Sequence, residues 1–412
     1  MAQADSCPAD TMNRTTFAPD RRLFLQGAGA SVLAALTHAR AAFASTPGDN
    51  RLVVIVLRGA LDGLHALPPW ADPRYRTLRP LIAVPKPGEE KGALDLNGYF
   101  GLHPALAPLQ PLYAAKELLF VPAASTRYRE RSHFDAQNML ENGSGKPFGS
   151  RDGWLNRAIL VLNGGDRRMG LALGPSMPLL MQGQAHVQQW APSVLPKADT
   201  EFLAALSRVY TADPLFSAAL ADAQGALKPK LDEAEMTNRA PRNRQFSVAA
   251  KAAAQLLARA DGPRVAVMDM QGWDTHFAQE VRLTNLFRQL SQGLLELRSG
   301  LGDAWGRTAV LVVSEFGRTA AENGNRGTDH GTGGLAMLAG GAIAGGRIAG
   351  RWPGLSHNSL FEGRDVAAVN DYESIFKAAL IAHLGVRPAF VEDRVFPASR
   401  SSPPMERLFK SG

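Results

Sequence analysis

The sequence predicts an α/β protein in which a mostly parallel sheet is flanked by helices and carries an inserted helical cap region. Three observations predict it. Four short apolar runs rich in β-branched residues have the pattern of strands buried on both faces. The later runs are each preceded by a segment of helical period, the alternation expected of a parallel sheet. Three of the runs lead into loops that combine Gly with Asp, Glu or His, where α/β sheets concentrate their chemistry.

The elements follow in order. Leu52 to Leu57 (LVVIVL) is the first strand and stops at Arg58-Gly59. A helix is expected over His103 to Ala115, then a strand over Leu118 to Val121. Residues 150–245 hold few strand signals, several Pro and Gly, and helical runs at Thr200 to Tyr210 and Pro214 to Ala226. They are read as the cap, with Lys228 to Arg244 as a polar connector. The helix Phe246 to Ala260 precedes the strand Arg264 to Met268, and the helix Phe277 to Leu297 precedes the strand Thr308 to Val313 (TAVLVV). Gly331 to Gly346 is uncharged but shorter than the ~20 residues of a spanning helix, so it reads as a buried strand between glycine turns. A helix over Tyr372 to Leu384 and a Pro/Ser-rich tail close the chain.

The first 44 residues read as an address. Arg21-Arg22 stand before Leu23, Phe24 and Leu25, a mildly apolar run continues to Ala39, and Ala42-Phe43-Ala44 supplies small residues at the cleavage positions. This is the pattern of a twin-arginine (Tat) export signal, so a periplasmic or secreted protein is expected, with no membrane span in the mature chain. The single cysteine of the 412 residues, Cys7, lies in that segment, which excludes a disulfide framework and Cys-ligated metals from the mature protein. A hydrophobic content of 45% with 20% charged residues is that of a globular chain, and a net charge of +7 without basic blocks gives no nucleic-acid footprint.

Chemistry-bearing residues gather at the strand ends. GALDGL after the first strand carries Asp62; DMQGWDTH carries Asp269, Asp274 and His276; SEFGRT carries Glu315 and Arg318; ENGNRGTDHG carries Asp329 and His330. Carboxylates and imidazoles without cysteine suit a divalent ion such as Zn, Mn, Mg or Ca, and two ions about 4 Å apart can clamp a phosphoryl group. Each motif has a plainer alternative. Asp62 before Gly63 is also turn chemistry. Ser132 is either a nucleophile at a helix N-terminus or a simple N-cap with Asp135 in the first turn. His133 either orients substrate or lines the site. Arg131, with Arg127 and Arg129, binds an anion or forms a solvated face. Arg318 contacts an oxyanion, or pairs with Glu315 or Asp329. His103, in GLHPAL, reads as structural.

The ordered series LRGALDGLHALPP, GYFGLHPALAPL, RSHFDAQNMLENG, GWDTH, SEFGRT, TDHGTGG and GGRIAGRWPGL resembles the bacterial family catalogued as domain of unknown function 1501, across residues 50–390. The resemblance implies an alkaline-phosphatase-like α/β core of the alkaline phosphatase and sulfatase superfamily. It also implies a hydrolase of phosphate or sulfate esters acting on an anionic substrate, with Ser132 as nucleophile. One metal site would then use Asp62, Asp329 and His330, and a second Asp274 and His276, completed by His357 or lacking its last histidine. Asp274 and His276 are separated by one residue where the superfamily element has three, and the sulfatase pattern Cys or Ser followed by x-Pro-x-Arg is absent. The alternative is a non-catalytic exported scaffold that binds a partner protein or a surface glycan.

Overall fold

The computed structural model describes residues 49–163, 169–192, 198–225, 229–231 and 244–410. The segment read as an export signal and most of the polar connector lie outside the described residues.

Among the described residues the central sheet has nine strands: β1 (Arg51–Arg58), β2 (Leu118–Ser125), β3 (Gly170–Leu173), β4 (Val187–Trp190), β5 (Val265–Gln271), β6 (Thr308–Ser314), β7 (Gly334–Ala339), β8 (Arg347–Ile348) and β9 (Asn370–Asp371). Their order is β8-β2-β7-β6-β1-β5-β3-β4, with β9 also on β2. All pairings are parallel except those of β7, which runs antiparallel to both β2 and β6. The sheet is therefore mixed and mostly parallel, and the chain is an α/β protein.

Strand β1 shows why the fold forms. Its alternation sends Val53, Ile55 and Leu57 to one face and Leu52, Val54 and Val56 to the other, and all six are buried. On the first face pack α5 (Gln245–Ala258) and α6 (Gln279–Leu301) through Phe246, Leu283, Phe287 and Leu290. On the second pack α2 (Trp154–Asn163) and α7 (Tyr372–Ala378) through Leu155, Ile159, Tyr372 and Ile375. Each such aliphatic side chain contributes roughly 1.5–3 kcal/mol on burial.

Three expected elements differ. The helix expected over His103 to Ala115 is a 3-10 turn (Pro104–Leu109) followed by a short helix (Gln110–Ala114), because Pro108 and Pro111 remove backbone donors from a continuous α-helix. The final helix holds regular α geometry only to Ala378 and continues as a π-turn over Ala379–His383. The cap region is divided. Its first half gives α2 and the strands β3 and β4, which extend the central sheet beside β5. Its second half gives α3 (Thr200–Tyr210) and α4 (Pro214–Gly225), and α3 has no buried residue. GLAL and VQQW are not legible as strands in the sequence, because four-residue strands with a single β-branched residue between them carry little periodic signal.

The register places the site. Leu57 stands opposite both Met270 and Ser314, so β6, β1 and β5 end at one level and their following loops share one rim. Gly59 lies against Trp273 and Asp274 at a φ of +119°, where a Cβ would stand 2.4 Å from the Asp274 nitrogen. Only glycine fits that crossing.

Candidate metal centre

Three histidines from three separate elements meet above this rim. His133 opens α1 (His133–Asn142), His276 follows β5, and His330 sits in the glycine loop before β7, bridged in antiparallel fashion to Arg318. The backbone is forced at the same places. Ala60, Arg131 and Ala278 adopt positive φ without being glycine, a conformation that costs on the order of 1–3 kcal/mol each and gathers at functional sites.

Each ring is held from behind. His133 Nδ1 donates to Glu315 Oε1 at 2.7 Å, His276 Nδ1 to Asp329 Oδ1 at 3.1 Å, and His330 Nδ1 to the Arg131 carbonyl oxygen at 3.1 Å. Ionised carboxylates and carbonyls only accept, so each Nδ1 donates, and each ring in its neutral form presents its lone pair at Nε2. Glu315 is fully buried; burial pushes its carboxyl up, but hydrogen bonds from His133 and Gln137 outweigh this and hold it below its ordinary value. Burial acts likewise on Asp329, and the bonds from Asn323 and His276 again prevail.

The three Nε2 atoms converge. His330 Nε2 lies 2.9 Å from His133 Nε2, 3.0 Å from His276 Nε2 and 3.3 Å from Asp274 Oδ1. Asp274 Oδ1 is also 3.0 Å from His276 Nε2, and its Oδ2 is 3.6 Å from His133 Nε2. The ligand atoms of His133, Asp274 and His330 all lie within 4.8 Å of one another, and His276 Nε2 adjoins two of them. Lone pairs that face each other require a shared proton or a cation. Burial first, then repulsion from His133 when that ring is charged and from Arg318, hold the His330 ring below its ordinary pKa against the opposing pull of Asp274.

A tetrahedral ion about 2.0–2.1 Å from each nitrogen sets neighbouring nitrogens about 3.3 Å apart, a few tenths more than the separations here. Ring nitrogens pinned behind by carboxylate or carbonyl acceptors are the usual support of a metal-bound histidine. The residues present therefore fit a divalent ion held by imidazole and carboxylate.

The structure brings Asp274, His276 and His330 together and gives other expected residues different places. His133, read as a substrate contact, belongs with the ligand atoms. Asp329, read as a ligand, stands one layer out behind His276. Asp62, also read as a ligand, is not in the group: its Oδ2 accepts from Arg79 at 2.8 Å and Gln279 at 2.6 Å, and its Oδ1 caps the turn Gly63–Ala66. Burial pushes the Asp62 carboxyl up, but Arg79 leads the interactions that pull it below its ordinary value. A guanidinium already fills the place a cation would take.

Arg318 pairs with neither Glu315 nor Asp329. It donates to Asp274 Oδ1 at 2.7 Å and to Thr328, and it is 2% exposed, which makes it a positioning residue. Arg131 spends its guanidinium on Asp365 and Glu362, because those carboxylates lie within salt-bridge reach, and serves the site through its carbonyl. Ser132 is the N-cap of α1, yet its hydroxyl makes no capping bond. His357 is exposed in the turn His357–Ser359, beside Gly363 and outside the group. Asp269, inside β5, pairs with Arg58.

The strand-end position of Glu315 is legible in the sequence, and its role behind His133 is not. Arg79 and Asn323 carry no motif that could have announced them.

No curated protein matches the chain. Among solved structures it is similar to Ps i-CgsB in complex with k-i-k-neocarrahexaose (12% identity, 86% of this chain and 77% of that one, TM-score 0.41). It is also similar to a protein in the alkaline phosphatase superfamily from Vibrio parahaemolyticus (11%, 80% and 72%, 0.38) and to the alkaline phosphatase of the Antarctic bacterium TAB5 (12%, 74% and 95%, 0.33). A family model described as "Protein of unknown function (DUF1501)" matches residues 123–386. That match takes in α1 with His133, all of the strand-end loops from β5 onward and more than half of the chain, which belongs to the DUF1501 family.

Proposed function

We propose that the protein is a hydrolase of phosphate or sulfate esters that works with one divalent ion, exported by the twin-arginine route to the periplasm or beyond. The observation that supports it is the convergence of three Nδ1-protonated histidines and Asp274 on one point. Mixed nitrogen and oxygen ligands favour zinc or manganese over the all-oxygen environments of magnesium and calcium. When bound, such an ion polarises an ester oxygen and lowers the pKa of a water molecule.

The chain's own residues set the stage for that chemistry. Glu315, Asp329 and the Arg131 carbonyl fix the ring orientations, and Arg318 holds Asp274 ionised although burial opposes it. Ser132 adjoins His133 with a hydroxyl not used for capping, so attack by Ser132 is kept as a second route beside attack by water. The charge of Asp62 is met internally by Arg79, which limits the expectation to a single ion.

The test is reconstitution of the purified mature protein with zinc or manganese, followed by assay on aryl phosphates, phosphodiesters and sulfates. Metal-dependent turnover that falls at least a hundredfold in His330→Ala is the expected result. Loss of turnover in Ser132→Ala with full metal content selects the serine route, and unchanged turnover selects water. No turnover on any ester by metal-loaded protein would leave a scaffold role for the same fold.

A further inference from the structure

A groove of about 950 Å³ lies against the first turns of α6, walled by apolar side chains including Leu81, Ile82, Val84 and Val281. None of the candidate metal ligands lines it. Two imidazoles do. His65 is 2% exposed and His103 5% exposed, with ring centroids 5.0 Å apart, and His103 packs on Phe287 at 4.9 Å.

These histidines are incompletely satisfied. His103 Nδ1 accepts from the Ala105 N–H at 3.0 Å, so its proton sits on Nε2, and that N–H meets no acceptor among the described residues. His65 Nδ1 is enclosed without a partner. Burial pushes both rings down, His65 to about 4 and His103 to about 3, so they present neutral N–H groups at ordinary pH. Arg288 lines the same groove near His103 and adds to its depression; its side-chain contact is Asn285 Oδ1 at a long 3.4 Å, with no carboxylate partner among the described residues. Glu90 and Glu280 also line the groove, each 4.0 Å from a cation of its own, Lys91 and Arg326. The groove thus combines apolar walls with a guanidinium and an imidazole N–H in want of an acceptor, the donor set a carboxylate satisfies.

We infer that this groove binds a small carboxylate with an apolar body, its oxygens taken by Arg288 and His103 Nε2 and its body laid against Leu81, Ile82, Val84 and Val281. Calorimetric titration of the purified mature protein with decanoate, before and after chelation of metal, tests it. Saturable one-to-one binding is expected, unchanged by chelation, absent for decylamine, and weakened about tenfold or more by Arg288→Met. Arg288 is on the surface, so that variant remains informative even where His103→Asn fails to fold. Binding abolished by the chelator would assign the carboxylate to the metal centre and overturn the inference. So would binding undiminished in Arg288→Met, acetate or inorganic phosphate bound as tightly as decanoate, or no saturable binding. None of these outcomes bears on ester hydrolysis at the metal centre.

Discussion

Two aspartates stand on the rim of one sheet, and their surroundings make opposite use of them. Asp62, 1% exposed, faces Arg79 and Gln279, so its charge and lone pairs are accounted for within the chain. Asp274 faces three imidazole Nε2 atoms, the neutral rings being turned so that their Nδ1–H groups meet Glu315, Asp329 and a carbonyl. The first is a closed ion pair and the second an open ligand set. The two communicate: Gln279 Oε1 accepts from Thr275 and Thr328, and Thr328 accepts from Arg318, the partner of Asp274. Position at a strand end does not make a metal ligand; what the carboxylate faces decides it.

The comparison breaks most readily at the closed pair. Removing one partner leaves an uncompensated buried charge, so Arg79→Met is expected to destabilise the fold by roughly 3–5 kcal/mol in chemical denaturation. A change below about 1 kcal/mol would show that the pair is not what holds Asp62.

Acid separates the two regions next. His65 and His103 are depressed to about 4 and about 3, below the ordinary 6.5 they regain on unfolding. Between those values the unfolded chain binds protons that the folded chain refuses, so stability is present above about pH 6.5 and falls as pH drops toward 4. Denaturation midpoints of metal-free protein are expected to record a loss on the order of 5 kcal/mol over that window, the two rings together. A flat profile would place both rings in contact with water.

At the open set, Glu315→Gln keeps a hydrogen-bonding side chain but removes the charge behind His133. Metal affinity is expected to drop about 10–100-fold, measured by competition with a chromophoric chelator, with folding retained. The smallest effect is structural: Gly59→Ala is expected to cost about 1–3 kcal/mol, because the Cβ meets the Asp274 nitrogen and the φ of +119° is strained. A neutral substitution there would mean that the crossing of the two loops relaxes easily.

Much of this was legible in the sequence, and the limits are physical. Continuous apolar runs such as LVVIVL and TAVLVV announce strands buried on both faces, and Asp274, His276 and His330 were found because they follow such strands. Partnerships were not legible. Glu315 and His133 are 182 residues apart, and Asp62 and Arg79 lie 17 apart across a turn, so neither pairing leaves a local spacing to read. The same holds for His65 and His103, whose GLH motifs look alike but give no sign that the rings pack together. Short strands without β-branched runs, β3 and β4, were hidden for want of period.

Metal stoichiometry tests the central contrast most directly. Elemental analysis of folded wild-type protein, Asp62→Asn and His330→Ala, each loaded with zinc and freed of excess, is expected to give about one ion per chain in the first two and none in the third. Two ions per chain in the wild type with one lost in Asp62→Asn would contradict it, as would zinc fully retained by His330→Ala.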